Sequence, residues 1–569
     1  MAYVITQRCC NDAGCVAECP VDCIRPTPGQ PEFATTEMLY IDPATCIDCG
    51  SCVPACPVGA IFAEEDLTAP LRRYGEINAE YFHTNPLRAD TTAEPAAPAR
   101  LPRGHDPLRV AVIGSGPSAC YAAATLLSNP GVEIDMFERL PTPWGLIRSG
   151  VAPDHLGTKD IAEVFESGFV TDAFAYHLNV TVGQHIRLAE LLRHHHAVIY
   201  AVGAAGDRRL GIAGEDLPGS HPATEFVAWY NGHPEHADRV FDLSGERAVV
   251  IGNGNVALDV ARVLTLDPAE LARTDIADHA LTALRDSAVR EVVVLGRRAP
   301  RQAAYTAGEF LALGQLPGVD VLIEDSGPDD PGADLKYRLL QEYSRNRPTP
   351  GHKRIVLRYL ASPIALHGAD RVRRLEYGRN EIRCVDGESV PVPTGRTATL
   401  DTTLVLRAIG YRGVAMADLP FDEARGVIPN DRGRVLGHDG VYVTGWIKRG
   451  PRGVIGTNRT DAEETVAHLL DDFTAGRLRT PEYGRAELHD LLTERRPDRI
   501  DRAGWRAIDT AERRAGQAVG RPRIKLTDTA ALLAVAQEAS GVALGLFPDS
   551  DNSASSCSTT PASVPSSAS

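Results

Sequence analysis

Val110-Ala-Val-Ile113-Gly114-Ser-Gly116-Pro-Ser-Ala119 is an apolar run that ends in two glycines one residue apart, with an alanine three residues after the second. The run reads as a buried strand. The glycines allow a tight turn into a helix whose first N–H groups face an anion such as a pyrophosphate. The next apolar run, Glu133 to Phe137, ends in Glu138, where a carboxylate accepts hydrogen bonds from ribose hydroxyls. The pattern recurs at Val249-Val-Ile-Gly252-Asn253-Gly254-Asn255-Val256-Ala257, but there the following run, Glu291 to Leu295, leads into Gly296-Arg297-Arg298. Guanidinium groups at that point pair with a 2′-phosphate that a carboxylate would repel. The two turns therefore imply two dinucleotides, FAD at the acid-tipped one and NADPH at the arginine-tipped one.

Further apolar runs at Ala197 to Val202 and Val441 to Thr444 alternate with helical patterns, the sequence of an α/β fold with parallel sheets and two Rossmann-like dinucleotide-binding domains. At 569 residues, 43% hydrophobic and 24% charged, the chain is long enough for several domains with buried cores. The balance of 59 Lys and Arg against 75 Asp and Glu, a net charge of −16, argues against a nucleic-acid or anionic-membrane binder. The uncharged window Val110 to Val132 contains Gly114, Gly116 and Pro117, so no membrane span is expected. The opening residues lack the basic and apolar regions of a secretory leader, so a cytoplasmic protein with reduced thiols is expected, and a monomer.

Nine of the twelve cysteines lie within the first 56 residues. Cys46-Ile-Asp-Cys49-Gly-Ser-Cys52-Val-Pro-Ala-Cys56-Pro57 has three cysteines at every third position and a fourth before proline. This spacing puts three thiolates on one iron–sulfur cluster and sends the fourth to another. The earlier half, Cys9, Asp12, Cys15, Cys19-Pro20, repeats it with aspartate in the middle. Crossed ligation assigns Cys19, Cys46, Cys49 and Cys52 to a 4Fe-4S cluster, and Cys9, Cys15 and Cys56 to a 3Fe-4S cluster or a 4Fe-4S cluster with a labile iron. A zinc module is the weaker reading, because zinc pairs are usually separated by a longer stretch. Residues 1–67 carry ten Asp and Glu against Arg8 and Arg25, half of the net charge. Residues 84–107 hold five prolines and read as a connector.

The cysteine unit resembles the bacterial seven-iron ferredoxins, of α+β fold, including Cys19-Pro-Val-Asp-Cys23-Ile24 and Met38-Leu-Tyr-Ile41. Leu140-Pro-Thr-Pro-Trp144-Gly-Leu146-Ile-Arg-Ser-Gly-Val-Ala152-Pro-Asp-His155 is similar to the fingerprint of adrenodoxin-reductase-type ferredoxin–NADP reductases. So are Gly252 to Asp259, Ile409-Gly-Tyr411 and Gly445-Trp446-Ile-Lys-Arg-Gly-Pro-Arg-Gly453-Val-Ile455. The whole chain resembles a fusion of the two. The resemblance implies a ferredoxin-like domain at 1–67 and FAD-binding parts at 108–208 and 401–545, the latter with the C-terminal helices, around an NADP-binding domain at 209–400; composition adds a linker at 68–107 and a disordered tail at 546–569. The resemblance further implies that Gly114, Gly116, Ser118, Glu138, Leu146, Val182, Trp446, Gly453, Val454 and Ile455 line FAD. Asn253, Gly254, Asn255, Val256, Arg297, Arg298 and Glu309 would hold NADPH, and His155 would support proton movement beside the flavin. The triplet His194 to His196 is expected to be structural, since adjacent residues point to different faces.

A hydride carries two electrons and an iron–sulfur cluster takes one, so a flavin between them makes the sequence coherent. The expected activity is that of a ferredoxin–NADP+ reductase, from NADPH through FAD and the clusters to an external ferredoxin or other one-electron carrier. Two other readings are an electron-input subunit of a larger complex and an iron–sulfur redox sensor. The acidic unit is expected to dock on Lys448, Arg449 and Arg452.

Overall fold

The computed structural model describes residues 2–87, 100–102, 104–325, 327, 334–385 and 388–544. Two parallel sheets dominate. In the first, Val441–Val443, Ala197–Tyr200, Leu108–Ile113, Val132–Glu138 and Phe174–Leu178 lie side by side and parallel. The short strands Arg434–Val435 and Asn430–Asp431 continue it at one edge. In the second, Ser220–Pro222, Leu404–Arg407, Arg247–Ile251, Glu291–Leu295, Lys353–Arg358 and Val319–Glu324 are parallel throughout. Val110, Ala111, Val112, Val249 and Val250 are fully buried, as parallel strands covered on both faces must be.

The two sheets repeat one local geometry. The N–H of Gly114 donates to the carbonyl of Phe137, and that of Gly252 to the carbonyl of Leu295. A Cβ on Gly114 would lie 2.5 Å from the Ala201 carbonyl oxygen, and one on Gly252 would lie 2.2 Å from that of Ala408. Only glycine lets the turn close there, at the point where strand order reverses and ligands bind in open α/β sheets. The chain crosses between sheets at Gly206–Asp207 and Tyr411–Arg412, which pair antiparallel.

Two expected boundaries move. Leu404–Arg407 pairs with Arg247–Ile251 in the second sheet, so that unit runs past 400. The expected linker at 68–107 does not begin as a linker. Arg73–Thr84 is a helix with Tyr74, Ile77, Asn78 and Phe82 buried, a helical spacing that the nearby prolines obscured. Asn78 accepts from the N–H groups of Ile5 (3.2 Å) and Ile41 (2.9 Å), and donates to the carbonyls of Ile5 (2.8 Å) and Tyr74 (2.7 Å). The helix is thereby pinned to the cysteine module, whose strands Tyr3–Ile5 and Ile61–Ala63 pair antiparallel, as do Ile24–Arg25 and Tyr40–Ile41. The tail expected at 546–569 lies outside the described residues. Among the described residues no helix is long and apolar enough to cross a membrane.

Candidate functional site

At the first turn the helix Pro117–Leu127 starts from Gly116. Gly145, at a positive φ of 48°, sets its Cα side against Gly116, where a Cβ would come within 3.0 Å. Backbone is thus brought to the helix N-terminus with no side chain in the way. Glu138 is buried, and its carboxylate accepts from the Ser115 N–H (3.1 Å), the Ser115 hydroxyl (2.7 Å) and the Leu140 N–H (3.0 Å). Its remaining lone pairs can still take ribose hydroxyls. The Ser118 hydroxyl donates to Asn458 (2.8 Å), so only its backbone is free for a ligand. A Cβ on Gly445 would lie 2.0 Å from Ser118 Oγ, so the segment carrying Trp446 is packed onto the turn. Trp446 donates to the Arg452 carbonyl (3.1 Å), Gly453 has φ 80°, and Val454 accepts from Thr457 and Asn458 through its carbonyl. Val182 is buried in the core beneath the first sheet, while Leu146 is 36% exposed beside the turn. The structure thus brings Gly114, Gly116, Glu138, Trp446 and Gly453 to Ile455 into one cradle.

At the second turn the helix Asn255–Thr265 starts from Gly254, and Asn255 accepts from the Thr306 N–H (2.9 Å). The Asn253 side-chain amide nitrogen is buried with no hydrogen-bond partner, a donor that a ligand oxygen would satisfy. Arg297 and Arg298 are exposed, and among the described residues neither side chain is in an ion pair, so both guanidinium groups are free for a phosphate.

Between the two turns lies a charge cluster. Arg262 is 2% exposed and pairs with Asp154 (2.8 Å), Asp259 (2.7 Å) and Glu309 (3.2 Å). His155 Nε2 sits 3.9 Å from Glu309. Burial pushes Asp259 up to about 6, against the pull of Arg262. The ligating atoms of His155, Asp259 and Glu309 lie within 4.8 Å of one another, but the Arg262 guanidinium among them opposes a cation. The sequence pointed to His155 and Glu309 through a resemblance. Arg262 carried no signal of its own, because a buried arginine is recognised only by the carboxylates that the fold gathers around it.

In the cysteine module, Cys19, Cys46, Cys49 and Cys52 line one cavity, together with Cys23. Cys9, Cys15 and Cys56 form the other group. Burial first, then the charges of Cys9 and Cys56, push the Cys15 thiol up. Backbone N–H groups of Leu39, Ala60 and Cys23 point at the sulfurs of Cys9 (3.5 Å), Cys56 (3.2 Å) and Cys19 (3.4 Å). Such donors stabilise cluster-bound thiolates, so the donor set fits iron–sulfur ligation.

The module sits directly on the cradle. Gly456, next to Ile455, donates its N–H to the Cys10 carbonyl (2.6 Å), and Arg459 reaches Asp12 at 3.1 Å. The expected landing face is corrected in part. Lys448 is 7% exposed and held by Asp461 (3.0 Å) and Glu464 (2.6 Å), and Arg449 turns to Thr457 and Asn458. Neither is a surface charge. The histidine triplet is structural: His195 is 1% exposed and shares Asp135 (3.1 Å) with His177 (2.8 Å).

Both parts of the chain match known families. Residues 39–62 match the 4Fe-4S binding domain family and residues 108–292 the pyridine nucleotide-disulphide oxidoreductase family. The probable ferredoxin/ferredoxin–NADP reductase of Mycobacterium tuberculosis (strain H37Rv) is 48% identical over 568 residues, covering 95% of this chain and 96% of that protein. The mitochondrial NADPH:adrenodoxin oxidoreductase of Arabidopsis thaliana is 38% identical over 461 residues, 76% of this chain and 95% of that one. Among solved structures, Mycobacterium tuberculosis FprA in complex with NADPH superposes with a TM-score of 0.73 at 47% identity, covering 76% of this chain and 100% of that one.

Proposed function

Since the chain belongs to the ferredoxin/ferredoxin–NADP reductase family, we propose that it draws electrons from NADPH and delivers them singly, through its own cysteine module, to an external ferredoxin or similar one-electron acceptor. The observation that carries this reading is the seating of the module on the Gly453–Gly456 segment, the loop that completes the first glycine cradle. FAD, when bound, converts the two-electron chemistry of a hydride into one-electron transfers.

The chain's own residues do the rest. Gly114, Gly116 and the N-terminus of Pro117–Leu127 cradle a pyrophosphate, Glu138 orients a ribose, and Val182, Leu146 and Trp446 border the ring system. Asn253 to Val256 hold the second pyrophosphate, and Arg297 and Arg298 select NADPH by its 2′-phosphate. Glu309 and His155, kept beside each other by Arg262, can hold or move a proton at the carboxylate and at Nε2. Cys19, Cys46, Cys49 and Cys52 hold a 4Fe-4S cluster; Cys9, Cys15 and Cys56 hold a 3Fe-4S cluster. The enclosed, acidic-surfaced chain acts as a monomer in the cytoplasm.

Two measurements test the reading. NADPH should sustain many turnovers of ferredoxin reduction, and electron paramagnetic resonance of the oxidised protein should show a three-iron signal; zinc in place of iron would overturn the module's assignment. Replacing Arg297 and Arg298 by neutral residues should raise KM for NADPH by roughly ten- to a hundredfold, the worth of one or two charge-assisted hydrogen bonds. KM for NADH should stay nearly unchanged, and equal effects on both would defeat the 2′-phosphate assignment.

A further inference from the structure

Asp12 stands where a cubane-binding sequence would have its middle cysteine, and a carboxylate there could in principle bind a fourth iron. In the folded chain each of its oxygens accepts from a residue of the reductase more than a hundred positions away, which ties the carboxylate to the reductase. Tyr121, 6% exposed on the helix that starts at the first glycine turn, donates its hydroxyl to Asp12 Oδ2 (2.8 Å). Arg459 pairs with Oδ1 at 3.1 Å and also donates to the Asp12 backbone carbonyl at 3.1 Å. The neighbouring backbone is held as tightly. Asn11 is fully buried with a left-handed φ of 60°, and its carbonyl carbon would lie 2.0 Å from a Cβ on Gly456. Tyr121 and Arg459 thus grip the one loop of the module that runs between Cys9 and Cys15.

We propose that Asp12 is a positioning residue, the latch by which the reductase holds its cysteine module, and that its carboxylate is withheld from iron for as long as the module is docked. This rests on the iron–sulfur reading given above. Two demands meet in one side chain. A cysteine at this position would complete a cubane but offer no charge to Arg459. An aspartate left free would recruit iron, though more loosely than a thiolate does. Committing it to Tyr121 and Arg459 fixes the Cys9, Cys15 and Cys56 half of the module against the cradle and leaves that half one ligand short.

The test uses the full-length holoprotein and three variants: Asp12→Asn, Tyr121→Phe, and the double variant Tyr121→Phe/Arg459→Ala. Docking is read by hydrogen–deuterium exchange over residues 9–15. The iron count is read by the three-iron resonance signal before and after anaerobic incubation with dithionite and ferrous iron. A three-iron cluster reduced by one electron adds ferrous iron without further electron exchange. In the wild type the loop should be protected and most of the three-iron signal should return on reoxidation. Tyr121→Phe and the double variant should exchange at least tenfold faster over 9–15, and the double variant should lose most of the three-iron signal as freed Asp12 accepts iron. Asp12→Asn should exchange equally fast yet keep the signal, having no carboxylate to offer. Unchanged exchange in both Asp12→Asn and the double variant would overturn the latch. Ready uptake of a fourth iron by the wild type with exchange still protected would overturn the withholding of Asp12. A module found without iron would defeat the iron–sulfur reading alone, because the exchange readout needs no metal.

Discussion

At position 456 a hydrogen atom stands where any other residue would carry a carbon. Gly456 has an ordinary helical φ of −70°, so alanine there meets no backbone strain; its obstacle is the Asn11–Asp12 peptide, whose carbon, oxygen and nitrogen would lie 2.0, 2.1 and 2.3 Å from the new Cβ. Gly456→Ala therefore isolates the contact between module and cradle. Overpacking of this kind costs about 1–3 kcal/mol, which lowers the docking equilibrium constant by roughly five- to 150-fold. The expected outcome is a slower reduction of the module's own clusters by NADPH in stopped-flow absorbance. NADPH oxidation by a small added dye, which needs no module, should be unchanged. The sequence offered no sign of this role. Gly456 follows a motif that was legible, but its function depends on a backbone carbonyl 445 positions earlier in the chain.

Among elements, the helix Ala307–Leu313 joins the module to the charge cluster. Glu37 of the module accepts from the Ala307 N–H (3.0 Å), two residues before Glu309. Burial pushes the Glu37 carboxyl up to about 7, partly offset by Lys336 and by the bond from Ala307, with Glu309 and Asp334 adding to the rise. A carboxyl whose folded pKa exceeds its unfolded value of 4.5 binds its proton more tightly when docked. Its contribution is then fully present below 4.5 and is lost as pH rises through about 7. Docking should therefore loosen as pH rises across that window, seen as faster exchange of residues 307–313, and Glu37→Gln should remove the pH dependence while still accepting from Ala307. A pH profile identical in the variant would refute the assignment.

The helix Arg73–Thr84 carries a second prediction. Asn78→Leu would strip partners from three buried backbone groups of Ile5 and Ile41, at about 1–3 kcal/mol each. The module should melt well before the reductase, followed by loss of cluster absorbance on heating. The apolar rhythm of this helix was present in the sequence, whereas Asn78 has no pattern that tells a buried cross-link from a surface amide. The antiparallel ribbon Arg374–Val385 with Glu388–Asp401 was likewise hidden, since its exposed faces replace apolar runs with Arg, Glu and Thr.

Over the whole molecule the module bridges both sheets. It touches the first through Asp12, Cys10 and Arg8, the last packed against Gly157. It touches the second through Glu37 and, by way of its pinned helix, through Arg73 with Glu342 (2.9 Å) and Tyr74 with the Gly308 carbonyl (3.3 Å). The covalent connector is then not what keeps the parts together. Cutting the chain at a protease site introduced within residues 88–99 should yield two pieces that still elute together in gel filtration at about 0.1 M salt. Their separation at that salt would show that the contacts are weaker than described. The parallel sheets and cluster cysteines were legible because short motifs specify them. The bridge was not, because it is made by residues whose partners lie hundreds of positions away.

Of the ten acidic residues in the module, Asp12 and Glu37 bond to the reductase, while Glu18, Glu32, Asp48, Glu64, Glu65 and Asp66 face outward, with Cys49 and Ile47 exposed among them. A freely diffusing carrier must visit its donor, leave, and then find a client, often with one and the same face. Here one face is engaged with the reductase while the opposite, acidic face stays open. Filling and emptying can therefore overlap in time, and each turnover waits on a single arrival, that of the acceptor.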